Sequence, residues 1–444
     1  MTEHQVPGAE PPALPRTVWL ETAAPAAPAH PLSGQAIADV VVIGAGFTGL
    51  TAAIDLARAG RRVIVVDATE PGWGASGRNN GQVIPGLKLD PDALERRHGS
   101  EQGKQLVVWG GAAPDVVFDL IAEHAIACHP VRHGWIQPAY TTKALPEIAS
   151  RCEQWALRSA PVEMLPVDAL PEILGTPAYV GAWIDRRGGT LNPLAYARGL
   201  ADIATRNGAR LCMRTPALSL ERAAGRWTLR TPDGAIRADQ VIVATAGYSD
   251  TLVAGLARSI VPVRTAQVAS APLSDKARRT ILPGGQGASD TRRLLTSFRL
   301  SPDHRLVMGG SGATGTLDHT ALLPRLHRAA AELFAHLGPL DWQFGWSGYF
   351  AVTSDHLPHF HESTDGLVCA LGCNGRGIAV STAMGRLVAA RITGAAVESL
   401  PLRPVPMARV AFHEFRDIGI ALATAAKGWQ DRHDRRQTLR RALH

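Results

Sequence analysis

Hydrophobic and polar positions first become regular near residue 40. Residues 40–43 (VVVI) are an apolar, β-branched run, GAGFTG turns the chain, and Leu50, Ala53, Ile54 and Ala57 recur at i, i+3, i+4 and i+7 along one helix face. Gly60 closes that helix, and a second β-branched run at 63–66 ends in Asp67. Residues 39–67 therefore predict a β-α-β unit with two parallel strands. Farther on, the pattern predicts a helix over 192–207, a strand at 210–213, a hairpin turning at Pro232-Asp233-Gly234 and a strand at 241–244. Strand runs at 261–269 and 305–308 and a helical pattern over 322–336 come next. The last organised block is a strand at 367–371, a glycine loop at 372–377 and a helix over 379–392 that Gly394 ends. Residues 1–36, rich in Ala and Pro, predict an irregular lead-in.

Composition narrows the class. The 444 residues exceed one ordinary domain, and 45% hydrophobic with 19% charged residues is a globular balance. The uncharged apolar stretch 40–54 near the front has 15 residues, short of the roughly 18 that a membrane span needs, so no span is expected. The opening MTEHQVPGAEPP lacks the basic-then-apolar layout of a secretory leader, and Cys128, Cys152, Cys212, Cys369 and Cys373 are scattered, which favours reduced thiols and a cytoplasmic location. The 46 basic residues exceed the 39 acidic ones by seven, but they are spread along the chain. One dense basic cluster, 432–441, has a single Trp before it and lacks the interleaved aromatics of a nucleic-acid surface, so it predicts a solvated helix face and no nucleic-acid partner.

Three glycine-rich segments carry the chemistry. Gly44, Gly46 and Gly49 stand between a strand and a helix, where the first permits the tight turn, the second lets backbone approach a pyrophosphate and the third lets helix pack on strand. The helix N-terminus adds free N–H groups for phosphates. Asp67 lies 18 residues past Gly49, placed to accept ribose hydroxyls. The stretch 72–82 (GWGASGRNNGQ) is small and hydrogen-bonding, suited to pass beneath a pyrophosphate and a flat ring. The block 372–378 (GCNGRGI) offers a second helix N-terminus, whose dipole suits the edge of a ring that gains negative charge on reduction.

Together, ADVVVIGAGFTGLTAAIDLARAG, GWGASGRNNGQ, VIVATAGYSD, WSGYFAVTSDHLPH and GCNGRGIAVSTAMGRLVA resemble the D-amino-acid oxidase superfamily of FAD enzymes, and within it the gamma-glutamylputrescine oxidase branch. The resemblance implies an α/β protein: a Rossmann-like FAD-binding domain interleaved with a substrate domain built on a mixed β-sheet. It assigns 37–90, 188–258 and 346–400 to the first, 91–187 and 259–345 to the second, 1–36 to the lead-in and 401–444 to a C-terminal helical tail. It implies that Gly44, Gly46, Phe47, Thr48 and Gly49 meet the pyrophosphate and that Asp67, in place of the usual Glu, meets the ribose. Ser76, Gly77, Arg78, Asn79, Asn80, Gly81 and Gln82 run along the flavin, and Ala217 pairs its backbone with adenine. Thr245 lines the same cleft, and Gly375, Arg376, Gly377 and Ile378 offer N–H groups to the pyrimidine edge. No Cys or His lies within 72–82, and Gly348 stands where some relatives carry a flavin-linking Cys, so FAD is expected to be non-covalent. Gln82, Lys88, Arg299 and Tyr349 are the substrate-side candidates. No metal is expected at His356, His359 and His361, because flavin chemistry needs none. The implied reaction oxidises an amine to an imine that hydrolyses to an aldehyde, with O2 reduced to hydrogen peroxide. Alternatives are a dehydrogenase that uses a quinone or carrier, an N-methyl or D-amino acid oxidase, and a non-catalytic flavin-binding subunit.

Overall fold

The β-α-β unit forms the middle of the first of two large sheets in a computed structural model that describes residues 13–313 and 322–441. In spatial order that sheet runs β17 (His359–Glu362), β18 (Leu367–Leu371), β11 (Gly234–Val243), β1 (Gly34–Ile43), β2 (Val63–Val66) and β8 (Arg210–Cys212). β18 through β8 are mutually parallel, and β17 is an antiparallel edge. β10 (Arg226–Thr231) and β9 (Ser219–Ala223) continue from β11 as an antiparallel hairpin. Parallel strands are covered on both faces, which is why they read as unbroken apolar runs. Val40, Val42, Val63 and Val65 enter a core shared with the helices Phe47–Arg58, Pro193–Arg206 and Gly377–Ile392, while Val41, Ile43, Ile64 and Val66 enter a second core with Leu229, Leu256 and Ile260.

The second sheet runs β16 (Trp342–Val352), β12 (Val261–Pro272), β15 (Arg305–Ala313), β14 (Thr296–Leu300), β13 (Gly287–Ser289), β4 (Trp135–Ala139), β6 (Gly181–Asp185) and β5 (Val162–Leu165). Its one parallel pair, β13 with β4, makes it mixed. Side chains alternate across it. Ile136, Ile184, Val268, Phe298, Leu306 and Met308 pack on one face with the helix Leu323–Leu333. Trp135, Gln267, Ser289, Ser297 and Arg299, one residue out of phase with that apolar set, give the opposite face its polar character. A short ladder, β3 (Gln82–Val83) with β7 (Gly189–Thr190), joins the two parts.

Three boundaries depart from the sequence reading. β1 begins at Gly34, inside the expected lead-in, because it pairs with β11 from Gly234 onward. The lead-in also holds a helical turn, Val18–Glu21, that Thr17 caps and that buries Val18 and Trp19. Residues 346–352, assigned to the FAD domain, belong to β16, since they pair with β12 from Gln267 back to Val261. The helix Ser100–His124 is long and apolar enough to cross a membrane, yet 56% of that apolar window is buried inside the protein. The tail is helical over Arg416–Arg441.

Candidate functional site

The first glycine loop closes against two other segments. Gly44 has φ +110°, and a Cβ on it would stand 2.8 Å from the Ala244 carbonyl oxygen at the end of β11, with Thr245 beside it. A Cβ on Gly49 would lie 2.0 Å from the Gly44 oxygen and 3.1 Å from Val42 Cγ1, so the third glycine serves close packing of helix on strand. A Cβ on Gly46 would meet Ser76 Oγ at 2.9 Å. No side chain caps the helix at Gly46, and the Phe47 N–H donates to Ser76 Oγ at 3.1 Å, so the hydroxyl of the second loop lies over the positive end of the first helix. Phe47 itself is buried, with its ring 5.3 Å from that of Tyr196, and Thr48 Oγ1 donates to the Ser381 carbonyl at 3.0 Å.

Asp67 ends β2 with both oxygens engaged. Oδ2 accepts from the Ala45 N–H at 2.8 Å, and Oδ1 from the Thr69 N–H and hydroxyl at 2.9 and 2.8 Å. Burial pushes its carboxyl upward, and these three bonds oppose that. The segment leading to Ala217 lies alongside, with the Arg214 and Thr215 N–H groups donating to the Thr69 and Asp67 carbonyls at 2.8 and 2.7 Å. Asp67 therefore ties the glycine loop to its strand, and a ribose would use its remaining lone pairs.

The loop 72–82 is held by its carbonyls. Trp346 Nε1 donates to the Arg78 carbonyl at 2.9 Å, Trp19 Nε1 to that of Asn79 at 2.8 Å, and Arg299 Nη1 to that of Gly81 at 2.7 Å. Arg78 bonds the Trp73 carbonyl through Nε at 2.6 Å and stacks on the Trp73 ring at 4.1 Å. Asn80 donates to Gln267 Oε1 at 2.9 Å. A Cβ on Gly77 would fall 2.3 Å from the Gly72 oxygen, and one on Gly348 would meet Arg78 Cβ at 3.3 Å, so Gly348 sits directly against this loop.

The third segment follows β18. Asn374 (φ +50°) accepts from the Thr353 N–H at 3.0 Å and donates to the Gly372 carbonyl at 2.6 Å, Gly375 (φ +85°) is exposed, and the helix Gly377–Ile392 starts without a side-chain cap. A Cβ on Gly377 would meet only Cys373 Sγ, at 3.9 Å. Ile378 is buried in the core, and Gly385 lets the two helices cross, since a Cβ there would come 2.5 Å from the Thr48 oxygen. Two uncapped helix N-termini, a glycine cradle and a carbonyl-anchored loop fit a dinucleotide with a flat ring.

The family described as DAO, FAD dependent oxidoreductase, matches residues 39–391. The chain belongs to this family. Among relatives similar to this DAO-family protein, gamma-glutamylputrescine oxidoreductase of Escherichia coli K12 is 29% identical over 406 residues, covering 89% of this chain and 94% of the relative. A probable oxidoreductase, OrdL, of Haemophilus influenzae is 30% identical over 370 residues, covering 82% and 85%. Glycine oxidase from Geobacillus kaustophilus superposes with a TM-score of 0.72 at 22% identity, over 83% of this chain and 99% of that one. L-proline dehydrogenase from P. horikoshii superposes at 0.67 and 20%, over 82% and 94%. The DAO-family protein is thus an FAD-dependent oxidoreductase with the fold of these flavoenzymes.

The substrate-side candidates separate. Gln82 is buried with its amide fully used: Nε2 donates to Asn80 Oδ1 and the Ala288 carbonyl at 2.8 and 3.0 Å, and Oε1 accepts from Ser289 and Trp135 at 2.7 and 3.2 Å. Arg299 is buried and gives Nη1 to the Gly81 and Leu191 carbonyls, both at 2.7 Å, and Nε to Leu300 at 3.0 Å. Burial pushes its guanidinium down to about 9, still charged at neutral pH. These bonds give Gln82 and Arg299 a share in holding the loop 72–82 and the strands beside it. Tyr349 is half-buried between Tyr248, whose hydroxyl accepts from the Tyr349 N–H at 3.1 Å, and Arg264, whose Nε donates to the Tyr349 hydroxyl at 3.0 Å.

Lys88 remains accessible, and among the described residues no carboxylate pairs with it. Surrounding protein, then the charges of Arg376, Arg151 and Lys427, push its ammonium down to about 8. The Arg376 guanidinium donates through Nη1 to the Pro85 carbonyl at 3.2 Å and lies 5.1 Å from the Trp135 ring centre. Arg151, by contrast, is held by Asp90, Glu147 and Gln137. His359 pairs with Asp355 at 2.9 Å and His361 with the Val405 carbonyl at 2.8 Å. The sequence reading missed Trp19, Trp346, Arg264 and Gln267. Period-2 alternation along β12 and β16 marks Gln267 as an inward polar position, but nothing local points to Trp19.

Proposed function

We propose that the protein oxidises the carbon–nitrogen bond of an amine that also carries an anionic group, with gamma-glutamylputrescine as the first substrate to try. The product imine hydrolyses to an aldehyde, and O2 is reduced to hydrogen peroxide. The observation that carries this reading is the positive charge of Lys88 and Arg376 at and near the third glycine segment, neither of which forms an ion pair with a carboxylate among the described residues, Glu147, Asp90 and Asp185 acting on them only at longer range. A bound ammonium is disfavoured there, so the amine is held in the neutral form that oxidation requires. A carboxylate at the far end of the substrate, such as a gamma-glutamyl group provides, would gain from the same charges.

FAD, when bound, supplies the electron acceptor. Gly44, Gly46, Phe47, Thr48, Gly49 and Ser76 would hold its phosphates, Asp67 and Ala217 its adenosine, and the 78–82 and 375–378 backbone its ring. The protein's own work is to orient the amine, keep it deprotonated and exclude water, which the polar face of the second sheet closes off. Gly348 against Arg78 leaves no linking side chain there, which supports non-covalent FAD, and acid precipitation should leave the flavin in the supernatant. Five free cysteines, four of them buried, support a cytoplasmic location. Anaerobic mixing with gamma-glutamylputrescine, putrescine and glycine in turn tests the substrate: flavin absorbance should bleach fastest with the first. Bleaching by glycine alone would refute gamma-glutamylputrescine as the substrate, bleaching by putrescine alone would refute the need for an anionic group, and bleaching that air does not reverse would refute oxygen as acceptor.

A further inference from the structure

The C-terminal helix docks by only half its length. Asp431 accepts from the Arg293 and Leu294 N–H groups at 3.1 Å, Asp434 pairs with Arg293 at 2.9 Å, and the Thr438 hydroxyl accepts from the Thr142 N–H at 3.1 Å. These positions, spaced three and four apart, define the inward face. Arg435 also turns inward, onto the Tyr140 carbonyl at 3.0 Å. Among the described residues the earlier half has no such anchors, and residues 418–426 (IGIALATAA) carry no charge. On the outward face Phe415, Ile418, Leu422 and Trp429 are 60%, 61%, 66% and 61% exposed. Arg436 and Arg440 extend that same stripe, both exposed. Both carboxylates of this half are committed to the inward face, so nothing acidic offsets the outer arginines.

We propose that this outward face binds the surface of an anionic phospholipid bilayer, with the apolar half lying at the headgroup boundary and the basic half on lipid phosphates. An apolar helix face left in water is normally covered, and one followed by arginines, with Trp at the junction, has the makeup of an interfacial helix. Trp429 is held there by stacking on His433, ring centres 5.3 Å apart. The apolar run from Phe415 to Trp429 is about 21 Å long at roughly 1.5 Å per residue, too short to cross a bilayer. A second copy fits less well: in a two-fold pairing of this face, the arginines would meet each other or the apolar half, and no carboxylate on the face receives them.

Flotation of the purified holoprotein with vesicles of phosphatidylcholine, alone or mixed with phosphatidylglycerol, tests this. Binding is expected only to the mixed vesicles, and high salt should release it. Arg436→Glu with Arg440→Glu should lower partitioning at least tenfold, given roughly fivefold per basic residue. Leu422→Glu should lower it comparably. Flavin content and turnover should stay at wild-type level in both. Arg61→Glu with Arg96→Glu changes net charge equally on other exposed surface and should leave binding intact. Three results overturn the proposal: no flotation with mixed vesicles at low salt; equal loss in the Arg61/Arg96 variant; or a wild-type dimer in sedimentation that Leu422→Glu splits, with no vesicle binding.

Discussion

Replacing Arg299 with Leu separates a clamp from a substrate ligand. Arg299 Nη1 supplies two buried, charge-assisted bonds, to the carbonyls of Gly81 and Leu191. Each such bond contributes about 1.5–3 kcal/mol. Gly81 keeps a second partner, the Leu191 N–H at 2.9 Å, whereas the Leu191 carbonyl is left without this donor. Leu removes a buried charge that has no acid beside it, which offsets part of the loss. The net destabilisation is about 2–4 kcal/mol. With roughly 2.1 cal/mol/K of unfolding entropy per residue, 444 residues give about 1 °C of Tm per kcal/mol, so Tm should fall by about 2–4 °C. The loop carbonyl that Arg299 holds lies in the stretch beside the flavin, so flavin content should fall with Tm, while KM of the enzyme that keeps its flavin stays within about twofold. Scanning calorimetry, the flavin-to-protein absorbance ratio and steady-state kinetics read all three. Unchanged Tm and flavin content with a KM raised tenfold or more would refute the clamp and return Arg299 to the substrate.

Gly46→Val places its Cβ 2.9 Å from Ser76 Oγ, at the first helix N-terminus, and should abolish FAD retention with only a small loss of apoprotein stability; normal flavin content would refute the phosphate assignment. In Gly377→Leu the Cβ meets only Cys373 Sγ, at 3.9 Å, so apoprotein Tm should hold. If the third segment lies beside the ring, however, the flavin potential and sulfite affinity should fall, and wild-type values of both would place the ring elsewhere. Lys88 has a folded-state pKa lowered to about 8, so its positive charge is present below pH 8 and lost as pH rises through it. KM for a carboxylate-bearing amine should therefore rise above pH 8 through this group, and Lys88→Met should raise KM at pH 7 and remove that inflection. An unchanged pH profile in the variant excludes Lys88 from substrate binding. The same shift costs folding stability below pH 8, and that cost is relieved as pH rises from 8 to 10.5, because the unfolded chain binds more protons at this lysine across that window.

The parallel strands of the first sheet were legible because both their faces are buried: 40–43 and 63–66 have no polar alternation to confuse, and Gly44, Gly46 and Gly49 punctuate them at a fixed spacing. The second sheet was less legible, since its strands bury one face in a core and present Gln267, Ser297 and Arg299 on the other. A polar residue on such a strand looks the same in sequence whether it meets a ligand or a neighbouring carbonyl. For Gln82 and Arg299 the partners, Ala288, Phe298, Gly81 and Leu191, lie as far as 218 residues away, so sequence alone shows none of these contacts. Trp19 was invisible for another reason, because a four-residue helix is too short to show a period.

Those long-range partners also explain why the two domains interleave. A stretch as small as 72–82 has few side chains with which to fix its own course, and glycine adds conformational freedom at Gly74, Gly77 and Gly81. Its carbonyls at 78, 79 and 81 are instead taken by Trp346, Trp19 and Arg299, donors from β16, the lead-in and β14. These donors also pack on one another: the rings of Trp19 and Trp346 meet edge-on at 6.1 Å, and the Arg299 guanidinium lies 5.3 Å from the Trp19 ring. The backbone assigned to the flavin is thus positioned by the sheet assigned to the substrate, so a chain cut between the two would lose the cofactor site along with the substrate site. Loss of any one donor is then felt by the other two, and Trp19→Ala, Arg299→Leu and Trp346→Phe should be less than additive in their effect on flavin retention.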